Sequence, residues 1–96
     1  MSAEVLFENQ TIDGNSNVFV VPSTGREYAL VRVYGTFDGC NVQVRADFDD
    51  SGIFCNIVDG LYDVEDIKQI YLKPGISIML VLADAGGSTN INAELI

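Results

Sequence analysis

A chain of 96 residues and 10.4 kDa has room for one domain and none for the insertions that usually carry an enzyme's substrate loops. It contains no histidine and no tryptophan, which excludes Ser/His/Asp, Cys/His and His-containing zinc arrangements. The 48% hydrophobic content argues against disorder, and 14 acids against 5 bases, net −9, argue against a phosphate backbone or an anionic membrane as partner.

Residues 1–10 hold two glutamates and only short apolar pieces, so no leader pattern is read there and a soluble protein made in the cytoplasm is expected. Residues 3–8 predict a first strand with Val5 and Phe7 on one face, broken by Asp13-Gly14-Asn15-Ser16-Asn17. Residues 18–21 form a brief apolar strand closed by Pro22-Ser23-Thr24-Gly25. Residues 27–36 make a longer one, with Ala29, Val31 and Val33 on one face and Tyr28, Leu30 and Tyr34 beside Arg32 on the other. Both faces are substantially apolar. That pattern predicts a central strand with one side in the core and the other covered by a neighbour or a subunit.

After Phe37-Asp38-Gly39 comes the cleanest alternation: Val42, Val44, Ala46 and Phe48 inward, Asn41, Gln43, Arg45 and Asp47 outward. Asp49-Asp50-Ser51-Gly52 supplies hairpin chemistry, residues 53–58 return, and Asp59-Gly60 reads as another turn. Residues 64–72 fit a short amphipathic helix or a strand equally well. Lys73-Pro74-Gly75 has the residues of a type II turn, joining 67–72 to 76–82. The latter segment is nearly all apolar and predicts burial on both faces. The longest apolar run, 78–83, falls well short of the roughly 20 residues of a membrane span. A Gly-rich loop over 83–88 precedes a last alternating strand over 90–96, with Ile91, Ala93 and Leu95 on one face. Seven to eight short strands predict a single all-β domain over residues 1–96, an antiparallel β-sandwich of small jelly-roll type.

The chemistry on offer is sparse. Cys40 and Cys55 are too few for a disulfide scaffold, and a hairpin turning near Asp50 sets them several residues apart along the ladder, so buried free thiols are expected. Asp47-x-Asp49-x-Ser51-Gly52 copies the first half of a calcium loop, but Val58 stands where the bidentate Glu belongs, and a turn held by Asx hydrogen bonds is the better reading. Ala85-Gly86-Gly87-Ser88 has no following Lys and no helix to cradle a phosphate. Tyr28, Tyr34, Tyr62 and Tyr71 could line a sugar-binding face, or simply pack half-buried on strands. No catalytic, cofactor-binding or metal-binding residue is assigned, and the chain reads as a non-enzyme.

The order of short motifs carries a further signal. Val31-Arg32-Val33-Tyr34-Gly35-Thr36-Phe37-Asp38-Gly39, then Val42-x-Val44, an acidic turn ending in Gly52, Leu72-Lys73-Pro74-Gly75, and Ala85-Gly86-Gly87-Ser88-Thr89-Asn90-Ile91-x-Ala93 resemble small β-sandwich proteins encoded among tailed-bacteriophage virion genes, over residues 28–96. Where such proteins often carry a tryptophan after the acidic turn, Ile53-Phe54-Cys55 stands here. The resemblance implies an accessory virion protein, a head decoration or cement protein that binds the outer capsid shell in many copies and stabilises it. Its implied partners are the major capsid protein or another virion protein and further copies of itself, with no nucleic acid and no membrane. A head-fibre or tail-attached role, and a carbohydrate or cell-surface-binding module, stay open beside it, as does a small inhibitor whose acidic face meets a basic enzyme. Residues 2–10 or the C-terminal strand are the candidate docking elements, since terminal strands tend to be sheet edges, although ordinary pairing of both within the sheet is the slightly favoured expectation.

Overall fold

Period-two alternation governs the computed structural model, which describes residues 4–21, 28–71 and 73–96. Nine strands form among the described residues: β1 (Glu4–Gln10), β2 (Gly14–Asn15), β3 (Phe19–Val20), β4 (Tyr28–Thr36), β5 (Asn41–Asp47), β6 (Cys55–Tyr62), β7 (Asp66–Tyr71), β8 (Ser77–Ala83) and β9 (Asn90–Leu95). They build two antiparallel sheets. The first is ordered β1-β9-β4-β7 and the second β2-β8-β5-β6, with β3 also on β8. Because β2 and β3 pair with successive stretches of β8, they act as one interrupted strand. The chain then crosses between sheets at every connection except β5 to β6, which gives the interlocked strand order of a jelly roll. The folded surface of 5560 Å² is close to the roughly 5,400 Å² expected for this mass.

The inner faces supply the core. Ala29, Val31 and Val33 of β4 and Ile91, Ala93 and Leu95 of β9 pack against Val42, Val44 and Ala46 of β5 and Ile78, Leu80 and Leu82 of β8, all buried. β4, β5, β8 and β9 are the internal strands, and they are the ones whose alternation is plainest in the sequence. Met79 is also buried on the outer side of β8, as its two-sided apolar pattern predicts. Within residues 64–72 the structure forms a strand, β7, over Asp66–Tyr71.

Several local expectations are corrected. β1 carries a register shift between Val5 and Phe7, so Leu6 and Phe7 both turn inward and Val5 faces solvent; a bulge adds one residue and breaks the alternation there. Asp59-Gly60 is not a turn between strands. It lies inside β6, where Arg45 pairs with Asn56 but Gln43 pairs with Leu61, so the extra residues bow out as a wide bulge. Asp59 has a left-handed φ of 62°, and a Cβ on Gly60 would come within 3.0 Å of the Ile57 carbonyl oxygen and the Val44 Cβ. At the end of β5 the alternation fails, with Asp47 buried and Phe48 exposed.

Lys73-Pro74-Gly75 does form its turn, closed by the Ile76 N–H donating to the Lys73 carbonyl at 3.2 Å with Gly75 at φ 90°. It carries the chain from one sheet to the other, because β7 pairs with β4 and β8 with β5. β1 is an edge strand as expected, but the C-terminal strand β9 lies between β1 and β4 and is no edge. The expected turn at Pro22-Ser23-Thr24-Gly25 lies outside the described residues, as do Ala3, Glu27 and Leu72 from the expected strands and Ser2 from the candidate docking segment.

One polar bond crosses the core. Tyr62 on β6 is fully buried, and its hydroxyl donates to the Val31 carbonyl oxygen on β4 at 2.6 Å. Burial pushes its phenol well above the ordinary tyrosine value. The stability this group carries is therefore complete below the unfolded value of about 10 and declines as pH rises beyond it. Removing the hydroxyl in Y62F is expected to cost about 1 kcal/mol, and Y62A about 3–5 kcal/mol, by urea denaturation at neutral pH. Y62F should also lose less stability than the parent chain in alkaline buffer.

Candidate interaction surface

Where inner positions fill the core, the alternate positions of β4 and β7 face outward. Their register sets Tyr28 opposite Tyr71, Leu30 opposite Gln69 and Arg32 opposite Ile67. Of these and Tyr34, five of seven side chains are apolar or aromatic, whereas the outward residues Asn41, Gln43 and Arg45 of β5 are all polar. A sheet that meets water on its outer side looks like β5; the β4–β7 face does not. Tyr28, Leu30, Ile67 and Tyr71 are all exposed, Tyr71 at 76%.

Two neighbours extend the patch. Ile96 exchanges both backbone hydrogen bonds with Leu30, at 2.8 and 3.3 Å, and is itself exposed, as is Val5 across β9 on β1. Among its charged members Arg32 and Glu94 lie 3.3 Å apart, with the guanidinium 4.2 Å from the Tyr34 ring centroid, and Glu8 of β1 lines a furrow with Val5, Tyr34 and Asn92. Beside them, Arg32, Tyr34, Glu65, Asp66 and Ile67 line a furrow of about 340 Å³. An exposed ion pair of this kind contributes little to stability; here it neutralises the only charges on the outward positions of β4, β7 and β9.

The tyrosines expected as a sugar-facing set thus divide. Tyr28, Tyr34 and Tyr71 share this face, while Tyr62 points into the core. Val5 and Ile96 join the patch only through strand pairing, and nothing local in the sequence marks them.

The other candidate groups are engaged locally. Asp47 accepts backbone N–H bonds from Asp49, Ser51 and Gly52 at 3.3, 3.2 and 2.8 Å, so the half calcium loop closes on its own backbone. Among the described residues, no group of three or more His, Cys, Asp or Glu side chains is placed to hold a metal ion. In the Gly-rich loop, Ala85 donates to Asp13 and Ser88 to Asp38, each at 2.8 Å, and Gly86 to the Thr89 hydroxyl at 2.8 Å. Those amides are satisfied by the chain's own oxygens. Both cysteines are free, and the expectation that both are buried is corrected: Cys40 is buried and Cys55 is exposed. Cys55 sits at the start of β6 opposite Ala46, above a furrow of about 240 Å³ that also touches Phe48 and Ile53. Burial pushes the Cys40 thiol up, partly opposed by a bond to Thr89, which disfavours its reactive thiolate.

Comparison of the chain with protein-family models, curated proteins and solved structures found no match.

Burial works against the Asp47 charge, but the amides of Gly52, Asp49 and Ser51 outweigh it and hold the carboxyl below its ordinary value. A depressed folded value stabilises the fold above the unfolded value and loses that contribution as pH falls through the folded one. Both carboxylate oxygens accept, so D47N loses the charge and also sets an NH2 against one of the donating amides. It should lower the urea midpoint at neutral pH, with the gap to the parent chain narrowing in acid below about pH 4.

Proposed function

We propose that this protein is a non-enzymatic structural component of a virion, a capsid decoration or cement protein that binds the outer shell of a tailed bacteriophage and stabilises it by bridging subunits. The observation that carries the reading is the uncovered apolar face of β4 and β7 on an otherwise acidic sandwich, since contiguous exposed apolar surface rimmed by polar residues marks a protein interaction site. The order of strand and turn motifs over residues 28–96 supports the same reading through its resemblance to phage virion proteins. Jelly rolls serve capsid proteins and lectins alike, so the fold adds nothing to either side of the choice.

The directly paired, exposed Tyr28 and Tyr71 favour a second reading, a carbohydrate or cell-surface-binding module whose rings stack on sugar faces. Under the leading reading the chain should co-purify in fixed stoichiometry with washed icosahedral particles and raise their thermal stability. A chain absent from washed particles and strictly monomeric in solution contradicts it, and glycan-array binding abolished by Y71A would favour the alternative.

A further inference from the structure

A free sheet edge offers its backbone to any extended chain, and folds guard against this with bulges, proline, short strands or a covering segment. The edges of the two sheets differ in this respect. On β1 the Leu6 and Val5 carbonyls are taken by the backbone N–H and side-chain amide of Asn17, at 3.2 and 3.3 Å. In the second sheet β6 is broken by its wide bulge, and β2 and β3 are two residues each. β7 has none of these devices. Its residues pair with β4 in unbroken register, and among the described residues no strand pairs with its other side. Its one cation, Lys68, is drawn over the Tyr62 ring.

The backbone directions along β7 follow from its neighbours. Leu30 exchanges both backbone hydrogen bonds with Ile96 on the β9 side, so neither its N–H nor its carbonyl points at Gln69, the residue opposite it on β7. Leu30 and Gln69 are therefore a pair without hydrogen bonds, and the N–H and carbonyl of Gln69 point away from β4. Ile67 and Tyr71, two residues to either side, point the same way. Ile67 shows this directly, because its N–H donates to the Asp66 carboxylate at 2.8 Å. Ile67, Gln69 and Tyr71 thus present their backbone groups to the open edge, and the side chains of Ile67 and Tyr71 are exposed beside them.

Register and charge select the occupant. Residues 63–73 carry their acids, Asp63, Glu65 and Asp66, at one end and their bases, Lys68 and Lys73, towards the other, so the stretch turned end for end is its own complement despite the net −9 of the chain. Antiparallel pairing about a two-fold axis has to set the outward groups of Ile67, Gln69 and Tyr71 against one another. An axis at Lys68 places two ammonium groups directly opposite, which is unfavourable, and one at Ile70 carries Ile67 beyond the partner's strand. An axis at Gln69 pairs Gln69 with itself and Ile67 with the partner's Tyr71, and sets Glu65 against the partner's Lys73. The exposed isoleucine and tyrosine then gain each other as cross-strand neighbours, twice over.

We propose that β7 pairs antiparallel with the β7 of a second copy about a two-fold axis at Gln69, joining the first sheets of both copies into one. This goes beyond the virion reading and does not rest on it. The axis stands perpendicular to the sheet, so the outer faces of β4 and β7 from both copies lie side by side and stay free to meet a shell.

Sedimentation equilibrium of the parent chain, Q69P, K73E, E65K and E65K/K73E tests it, with amide hydrogen exchange of the parent. The parent should dimerise, and exchange at the Gln69 and Tyr71 amides should slow as concentration rises from about 20 μM to about 1 mM. Q69P removes an N–H that turns away from β4 and should raise the dissociation constant about 30-fold, through loss of both hydrogen bonds at the axis. K73E sets like charges together at both ends of the paired strands and should raise it about 5-fold, as should E65K. E65K/K73E exchanges the charges and should return it to the parent's value. Urea midpoints show which variants keep a folded monomer, because E65K also removes the acceptor of the Gly35 N–H; Q69P, K73E and the parent's exchange decide the question without it. A parent that is monomeric at about 1 mM overturns the proposal, as does a dimer in which the Gln69 and Tyr71 amides exchange as in the monomer. A dimer weakened by K73E and not restored in a folded E65K/K73E overturns the axis at Gln69.

Discussion

One layer of aliphatic side chains has to serve two sheets at once, and the rest of this molecule follows from that constraint. A 96-residue chain buries only about 64% of its unfolded surface, so each internal strand must give its whole inner face to the shared core. β4 pairs with β9, and β5 with β8, without a break in register. Tyr62 reaches from β6 to the Val31 carbonyl on β4 and places the one fully buried side-chain hydrogen bond among the described residues across the layer. It fixes the lateral position of the sheets, which non-directional apolar contact alone leaves free.

The same constraint explains where irregularity is tolerated. Bulges and interruptions fall on strands with an unpaired side: β1 with its register shifts, the β2–β3 break, and the wide bulge of β6. Bulges twist an edge away from unwanted partners. β7, the other edge of the first sheet, has no such break in its pairing with β4, and Lys68 lies 5.4 Å over the Tyr62 ring instead of extending along the edge. That regularity keeps Tyr71, Gln69 and Ile67 on one flat outward row beside β4, so the apolar face exists because the strand beneath it is uninterrupted.

The sequence shows the internal strands plainly, since Val42, Val44 and Ala46, or Ile91, Ala93 and Leu95, can satisfy a core only as alternate residues on one face. It also shows that β4 is apolar on both sides, the feature on which the functional reading depends. The bulges are not legible. Val5 and Phe7 alternate as well as any pair, and only the partner strand decides that Leu6 joins Phe7 inside. Asp59-Gly60 suits a hairpin and a bulge equally, because both need a left-handed residue. Nor does Lys73-Pro74-Gly75 say which sheet it enters, as a tight turn and a crossover between packed sheets use the same residues. Asp47 and Phe48 exchange their expected sides because three backbone amides of the following loop draw the carboxylate in, a gain no hydropathy pattern records. For the interaction surface, the β4 half was readable, and the contributions of Val5 and Ile96 depend on pairings made across the whole length of the chain.

The functional reading turns on cover of the outer face of β4 and β7 when the protein is at work. Hydroxyl-radical footprinting of Tyr28 and Tyr71 measures that cover directly, in the free protein and in protein bound to washed particles. Both rings should be modified in the free protein and protected on particles, with Phe48, exposed on the β5–β6 hairpin, serving as the reference. Rings that stay as reactive on particles as in the free protein would contradict the reading.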